Sequence, residues 1–310
     1  MIFYVIKRLL LLIPTLLCVA FLVFSIMSLT PGDPARIILG PSAPPEAVAQ
    51  LNSELGFDRP FLVRFVNYVI GAVTRFDFGF SYRTREPVVS EVVKRVPVSI
   101  QVAFNAILFA TALGIPIGII SAVKQYSHLD NTARVLGILL ASVPAFWLGL
   151  ILIFIFSLKL NLLPTSGVGS WKNYILPMAT LGLPYSGSQL RFTRSAMLET
   201  IRQDYIRTVR AKGVPEGKVI FSHALKNALL PIITVVGTSF GGLLGGAVLT
   251  ESVFTLPGLG TMIVSGIRTK DIPLVMGGTL FFTIMFGVIM LIVDLLYAFV
   301  DPRIKAKYSR

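Results

Sequence analysis

One cysteine, two histidines and 15 acidic residues are a thin supply of chemistry for a chain of 310 residues. The lone Cys18 excludes an internal disulfide framework. No His-Glu-x-x-His helix and no Gly-x-Ser-x-Gly turn occurs, so neither a zinc hydrolase nor a serine hydrolase is indicated. The nearest approach to a phosphate-binding loop is Gly213-Val-Pro-Glu-Gly217-Lys218-Val219. It is one residue short and lacks the final Ser or Thr. A nucleotide-hydrolysing site, a catalytic metal and a resident cofactor are therefore not expected in this chain. Charge is also scarce, at 14% of residues against about 25% in soluble domains. The shortage is worse for acids: 28 basic residues against 15 acidic leave a net charge of +13. Such a balance raises the question of a nucleic-acid partner. However, the basic residues sit in short segments between apolar runs, with no stripe interleaved with aromatics. No nucleic acid is expected.

What is abundant is apolar sequence, 54% of the chain, with a mean hydropathy of +0.78. Runs of about 20 apolar residues suffice to cross a bilayer. Six occur, over 9–29, 98–123, 135–158, 174–190, 229–249 and 273–299. The fourth is short and interrupted by Pro177 and Pro184. Lipid-facing spans must satisfy their own backbone hydrogen bonds, so the expectation is an all-α, polytopic membrane protein with six transmembrane helices. The first run follows Lys7 and Arg8 and is longer than a signal-peptide core, with only a weak cleavage candidate at Ser25-Ile26-Met27-Ser28. It reads as an uncleaved span.

Basic residues orient the spans. With the N-terminus inside, one side holds Lys7, Arg8, Lys124, Arg134, eight basic residues from Arg191 to Lys226, and Arg303, Lys305, Lys307 and Arg310. The short loops of the other side hold Lys159, Lys172, Arg268 and Lys270. Both termini are expected in the cytoplasm. The organisation is then a first span over 1–29, an outer segment over 30–97, and a five-helix core over 98–310 with a cytoplasmic loop over 191–230. The outer segment has helical signals of its own. Pro45 suits a first helical position and Gly56 a helix end, and Phe61, Leu62, Phe65, Val66, Val69 and Val73 recur at helical spacing. It reads either as an amphipathic lid or as a surface that receives substrate from a partner.

The cytoplasmic loop is longer than a helix connection needs. Asp204 is positioned to cap a short helix whose last turn carries Arg210 and Lys212, and Gly213 to end it in a left-handed conformation. Pro215 then starts a second helix, with Glu216 in its first turn. Two short helices joined by a glycine elbow result. They would serve either as a docking element or as a basic loop resting on anionic lipid.

The stretch Arg207-Thr-Val-Arg-Ala-Lys-Gly213, continued by His223-Ala-Leu-Lys-Asn-Ala-Leu-Leu-Pro231, resembles the coupling loop of bacterial ABC importer permeases. It is most similar to the branch that takes up dipeptides, oligopeptides, nickel and glutathione. The general pattern has a Glu-Ala-Ala triplet before the glycine. Arg207-Thr208-Val209 stands there instead, as in the peptide branch apart from Val209. Four further motifs look like the same family: Pro31-Gly-Asp-Pro34, Asp77-Phe-Gly79, Glu251-Ser-Val-Phe-Thr-Leu-Pro-Gly-Leu-Gly260, and Val293-Asp-Leu-Leu-Tyr297 with Asp301-Pro-Arg303.

The resemblance implies the type I ABC importer permease fold and a half-pore, a permease without its own ATPase site. Its expected partners are a second related permease, two ABC ATPase subunits that bind ATP and Mg, an extracytoplasmic binding protein and the lipid bilayer of a bacterial or archaeal inner membrane. It implies ATPase coupling through residues 204–231, at Asp204, Tyr205, Arg207, Thr208, Arg210, Ala211, Lys212, Gly213, His223, Asn227 and Pro231. Dipeptides or oligopeptides are the default substrate, with nickel, glutathione or oligosaccharide as alternatives. The rival outside the family is an ion-coupled secondary transporter, against which the nearly charge-free midplanes argue.

Few other residues stand out. Gly237, Gly241 and Gly245 recur every four residues in the fifth span, a spacing that lets helices pack closely or lines a pore. Glu251, Phe254, Pro257 and Gly258, at the outer end of that span, are candidates for an outer gate or a binding-protein contact. Asp294 is an ionisable residue inside the sixth span, and so either an ion-pair partner or a substrate contact.

Overall fold

The computed structural model describes residues 2–30, 32–40 and 42–300. For residues 2–3 and 296–300 it describes the backbone alone. Pro31, Asp301-Pro-Arg303, Lys305, Lys307 and Arg310, together with the Tyr297 side chain, lie outside what is described. Among the described residues the chain is helical, with a single isolated bridge between Phe80 and Pro87 as its only strand-like pairing.

Thirteen helices follow in order among the described residues. They are α1 (Ile2–Leu29), α2 (Pro34–Leu39), α3 (Pro45–Glu54), α4 (Phe61–Arg75), α5 (Val88–Val123), α6 (His128–Ser142), α7 (Ala145–Leu152), α8 (Lys172–Ile201), α9 (Asp204–Ala211), α10 (Glu216–Lys218), α11 (Leu225–Val253), α12 (Leu259–Arg268) and α13 (Ile272–Val300). A π-helical turn, Ile153–Lys159, extends α7, and another, Val219–Ala224, joins α10 to α11.

Among the described residues four helices are long and apolar enough to cross a membrane: Tyr4–Leu29, Val88–Val123, Glu216–Val253 and Ile272–Leu295. A fifth is reached if α6 and α7 count as one span bent by 101°. Two of the six expected runs differ from a straight apolar span. Over 135–158 the run is not one straight helix, because Pro144 forces the preceding Val143 into extended backbone, at ψ 127°, and the helix breaks there. Over 174–190 there is a helix, but not an apolar span. Pro177 and Pro184 do not break it: α8 runs unbroken for 30 residues from Lys172 to Ile201. It buries Thr180, Ser186, Gln189 and Thr193 against protein neighbours. A helix enclosed by α6, α7 and α11 has no need of a lipid-compatible surface, which is why its hydropathy is low.

The chain divides into two compact units, with boundaries at Val5/Ile6, Ser99/Ile100, Leu256/Pro257 and Gly287/Val288. The first holds most of α5, all of α6–α11 and the end of α13. Its helices approach closely at glycines. A Cβ on Gly187 of α8 would collide with the Gly137 carbonyl of α6. The second unit holds most of α1, all of α2–α4, the start of α5, α12 and most of α13. Its core is Ala20, Phe24 and Met27 of α1, Val88 and Val92 of α5, Leu259 and Met262 of α12 and Met276 of α13, with Phe78 between. Here the helical signals of the outer segment are met. Pro45 is the first residue of α3, Gly56 follows its end with φ +72°, and α4 starts directly after Pro60. Asp33 caps α2 by accepting from the Ala35 N–H at 3.0 Å and also accepts from Asn52 Nδ2 at 3.0 Å.

Candidate functional site

The segment between α8 and α11 was expected to be a polar loop carrying two short helices. Most of it is helix continuous with its neighbours. α8 extends to Ile201, the short α9 follows after two residues, and α10 is the first turn of one helical run, Glu216–Val253. Only 202–203 and 212–215 are non-helical. The second short helix is thus corrected to the base of the long one. The cap is corrected too. Gln203, with ψ 148°, occupies the N-cap position, and Asp204 is the first helical residue. An acid in the first turn still favours the helix through its dipole. The Asp204 carboxylate points to solvent and lies 3.7 Å from Arg207. Pro215 is likewise the residue before the helix, with Glu216 first inside it.

Seven residues of α9 and its C-cap sort onto two faces. Ile206 is fully buried, whereas Tyr205, Arg207, Thr208, Arg210, Ala211 and Lys212 are exposed. Ile206 enters an apolar cluster made by Ile119 and Ala122 of α5, Met197 of α8, and Val219, Ile220, Ala224, Ala228 and Ile232 of the α10–α11 run. Burying an isoleucine contributes roughly 1.5–3 kcal/mol, so α9 is seated on three longer helices. The polar contacts reinforce this seat. Asn227 Nδ2 donates to the Tyr205 hydroxyl at 2.6 Å, and that hydroxyl donates to the His223 carbonyl at 3.4 Å. Tyr205, His223 and Asn227, predicted to act together, are brought together. Gly213 sits at φ +75° with open space where a Cβ would be. Across this elbow Arg210 meets Glu216 in a bidentate pair, Nε to Oε2 at 3.0 Å and Nη2 to Oε1 at 2.6 Å. The carboxylate raises the Arg210 guanidinium above its ordinary pKa. Pro231 lies inside α11, exposed.

Where α5, α6 and α8 meet stands an arrangement that sequence reasoning missed. Asp130 on α6 is fully buried. Its carboxylate accepts from Ser121 Oγ at 2.6 Å, the Tyr126 N–H at 2.9 Å, and Arg194 Nε and Nη2 at 2.7 and 2.9 Å. Four donors on one buried carboxylate tie the ends of α5, α6 and α8 together. Ser127 caps α6 by accepting from the Asp130 N–H at 3.2 Å, and Ser-x-x-Asp is a readable helix-start signal. Arg194, 64 positions away, has no local signal of its own.

The other predicted residues scatter. Gly237 packs against Val293, into which a Cβ would collide, and Gly241 is buried, but Gly245 faces open space. The three do not form one packed stripe within this chain. Glu251 and Phe254 were expected at an outer contact surface, yet each is 1% exposed. The apolar body of Phe254 lies close to Gly149 of α7, so neither offers a free face. Pro257 is exposed, and Gly258 is the buried N-cap of α12. Asp294 is half-buried on α13. Among the described residues no cluster of three metal-ligating side chains occurs.

Two family models match nearly the whole chain. Residues 114–306 match the binding-protein-dependent transport system inner membrane component, and residues 1–103 match the N-terminal part of such membrane components. The chain belongs to this family. It is an ABC importer permease subunit of the dipeptide, oligopeptide and nickel branch, and that membership displaces the ion-coupled alternative. The ATPase of such importers lies in other subunits. Among its relatives, the glutathione transport system permease protein GsiC of Salmonella choleraesuis (strain SC-B67) is 43% identical over 98% of this chain and 99% of its own length. GsiC of Escherichia coli (strain K12) is 41% identical over the same shares. In fold, the chain is similar to a chain of the MetNI methionine ABC transporter in inward-facing conformations. The TM-score is 0.56 at 18% identity, covering 67% of this chain and 95% of that one.

Proposed function

We propose that this permease subunit forms half of the pore of an ATP-driven importer of short peptides, with glutathione as the first candidate. The observation that carries the coupling part is α9: a short helix anchored through Ile206 and Tyr205, with a polar face turned to solvent. An element that transmits force between subunits must be stiff and must be held at more than one point, and α9 is both. Its exposed residues are the docking face for an ABC ATPase, and the elbow pair Arg210–Glu216 holds the angle to α11. The partners are then two such ATPases, a second permease and an extracytoplasmic binding protein, with both chain termini on the ATPase side of a bacterial inner membrane. Identity of 41–43% to glutathione permeases over nearly the full length favours glutathione over other dipeptides, nickel or oligosaccharide.

The test has two arms. Ala211→Trp places bulk on the exposed face of α9 without touching Ile206. The permease should still insert in the membrane while losing co-purification with its ATPase, and undiminished co-purification would show that the docking face is elsewhere. In proteoliposomes holding the complete complex, ATP-dependent uptake of glutathione should exceed that of alanyl-alanine. The reverse order would reject glutathione while leaving the importer reading in place.

A further inference from the structure

The second unit contains a cavity of about 220 Å³ that the coupling machinery does not use. Phe57, Arg59, Arg64, Asn67, Tyr68 and Tyr82 line it, so it lies in the segment that follows the first span. Two arginines face it, and among the described residues no acidic one lines it. Arg64 is the best placed of these groups. Its guanidinium lies over the Phe57 ring at 4.5 Å and the Phe24 ring at 5.5 Å from their centroids. Such stacking holds the plane of the fork but leaves its N–H edge available. Among the described residues that edge donates to no acceptor. The Tyr68 hydroxyl is buried and also has no hydrogen-bond partner there. A buried hydroxyl left unpaired is unfavourable, as is a partly buried guanidinium with no anion beside it. Burial pushes the Tyr68 and Tyr82 phenols above their ordinary pKa, so both remain protonated donors. The cavity therefore presents the Arg64 cation and the unpaired Tyr68 hydroxyl, with no carboxylate among its described lining residues.

We propose that this cavity is a binding site for the carboxylate of a small solute, with Arg64 as the bidentate contact and Tyr68 and Tyr82 as flanking donors. A guanidinium fork matches a carboxylate in geometry and charge. Phosphate would use the same donors; the choice of carboxylate rests on the peptide-import reading above, since peptides carry one at their C-terminus. The site would hold substrate on the outer side after its release by the binding protein.

The test is equilibrium binding to the full chain in lipid nanodiscs, by calorimetry, without ATPase or binding protein. Glutathione and alanyl-alanine are the probes, with their ethyl esters and inorganic phosphate as controls. At least one free acid should bind, its ester should bind about tenfold or more weakly, and Arg64→Gln should lose a similar factor. Arg64→Lys should recover part of it, because the charge is kept without the fork. Tyr68→Phe, which removes a single hydroxyl, should cost a few-fold. No binding by either acid, equal binding by acid and ester, an unchanged Arg64→Gln variant, or tighter binding of phosphate would each overturn the proposal. Uptake by the complete complex is measured separately, so loss of this site and loss of the importer reading give different results.

Discussion

Asp130 shows how much of this protein rests on single contacts that no local pattern announces. A buried carboxylate is tolerated only when its charge and lone pairs are met, and here Arg194, Ser121 and the Tyr126 N–H meet them. Asp130→Ala would leave the Arg194 guanidinium, 16% exposed, without its partner. We expect a loss of about 3–5 kcal/mol, read as a large drop in the melting temperature of the purified chain. Replacing both residues with leucine should cost much less than the sum of the two single changes, which a double-mutant cycle would measure. A drop for Asp130→Ala no larger than that of a surface substitution would show that the cluster is incidental. Gly237 makes a second residue-scale prediction. Its contact with Val293 leaves no room for a methyl group, so Gly237→Ala should destabilise by about 1–3 kcal/mol. Val293→Ala should restore much of the loss, and the same melting experiment reads both. The glycine spacing was visible in the sequence. Which of the three glycines meets a partner was not, because spacing places residues on a face but does not say what stands opposite.

At the scale of elements, the elbow was the most legible part. A glycine after a basic last turn, followed by proline and glutamate, has a local meaning in backbone dihedrals and helix dipoles, and Gly213 takes φ +75° as such a position requires. What local reasoning could not supply was continuity. The turns after Pro215 belong to a helix of 38 residues, and α8 absorbs the eleven residues 191–201 of what looked like loop, because each extension buries apolar side chains such as Met197 and Val219. Gly213→Val tests the element. Space is open around the site, so the cost is the backbone's own, roughly 1–2 kcal/mol or more for a β-branched residue held in the left-handed region. The chain should therefore fold, while ATP hydrolysis stimulated by substrate-loaded binding protein falls in the reconstituted complex. Hydrolysis at the wild-type rate would show that the elbow's angle does not matter to coupling.

At the scale of the molecule, orientation is the claim that charge asymmetry makes most directly. Cys18 is exposed, so it must be replaced first. On a Cys18→Ser background, a membrane-impermeant maleimide should label Arg210→Cys only in inside-out vesicles and Glu46→Cys only in right-side-out cells. The opposite pattern would invert the topology and place the α9 face away from ATP. By itself the sequence determined the helical class, the long apolar spans, the elbow and the family. All of these depend on residues close together in the chain or on run lengths set by bilayer thickness. Only the tertiary structure decided the rest: the bend at Pro144, the burial of Glu251 and Phe254, the Asp130–Arg194 clamp, and the enclosure of α8 that makes its low hydropathy tolerable. Burial depends on what stands opposite a side chain, and a helix shielded by other helices is released from the apolar rule that lipid imposes.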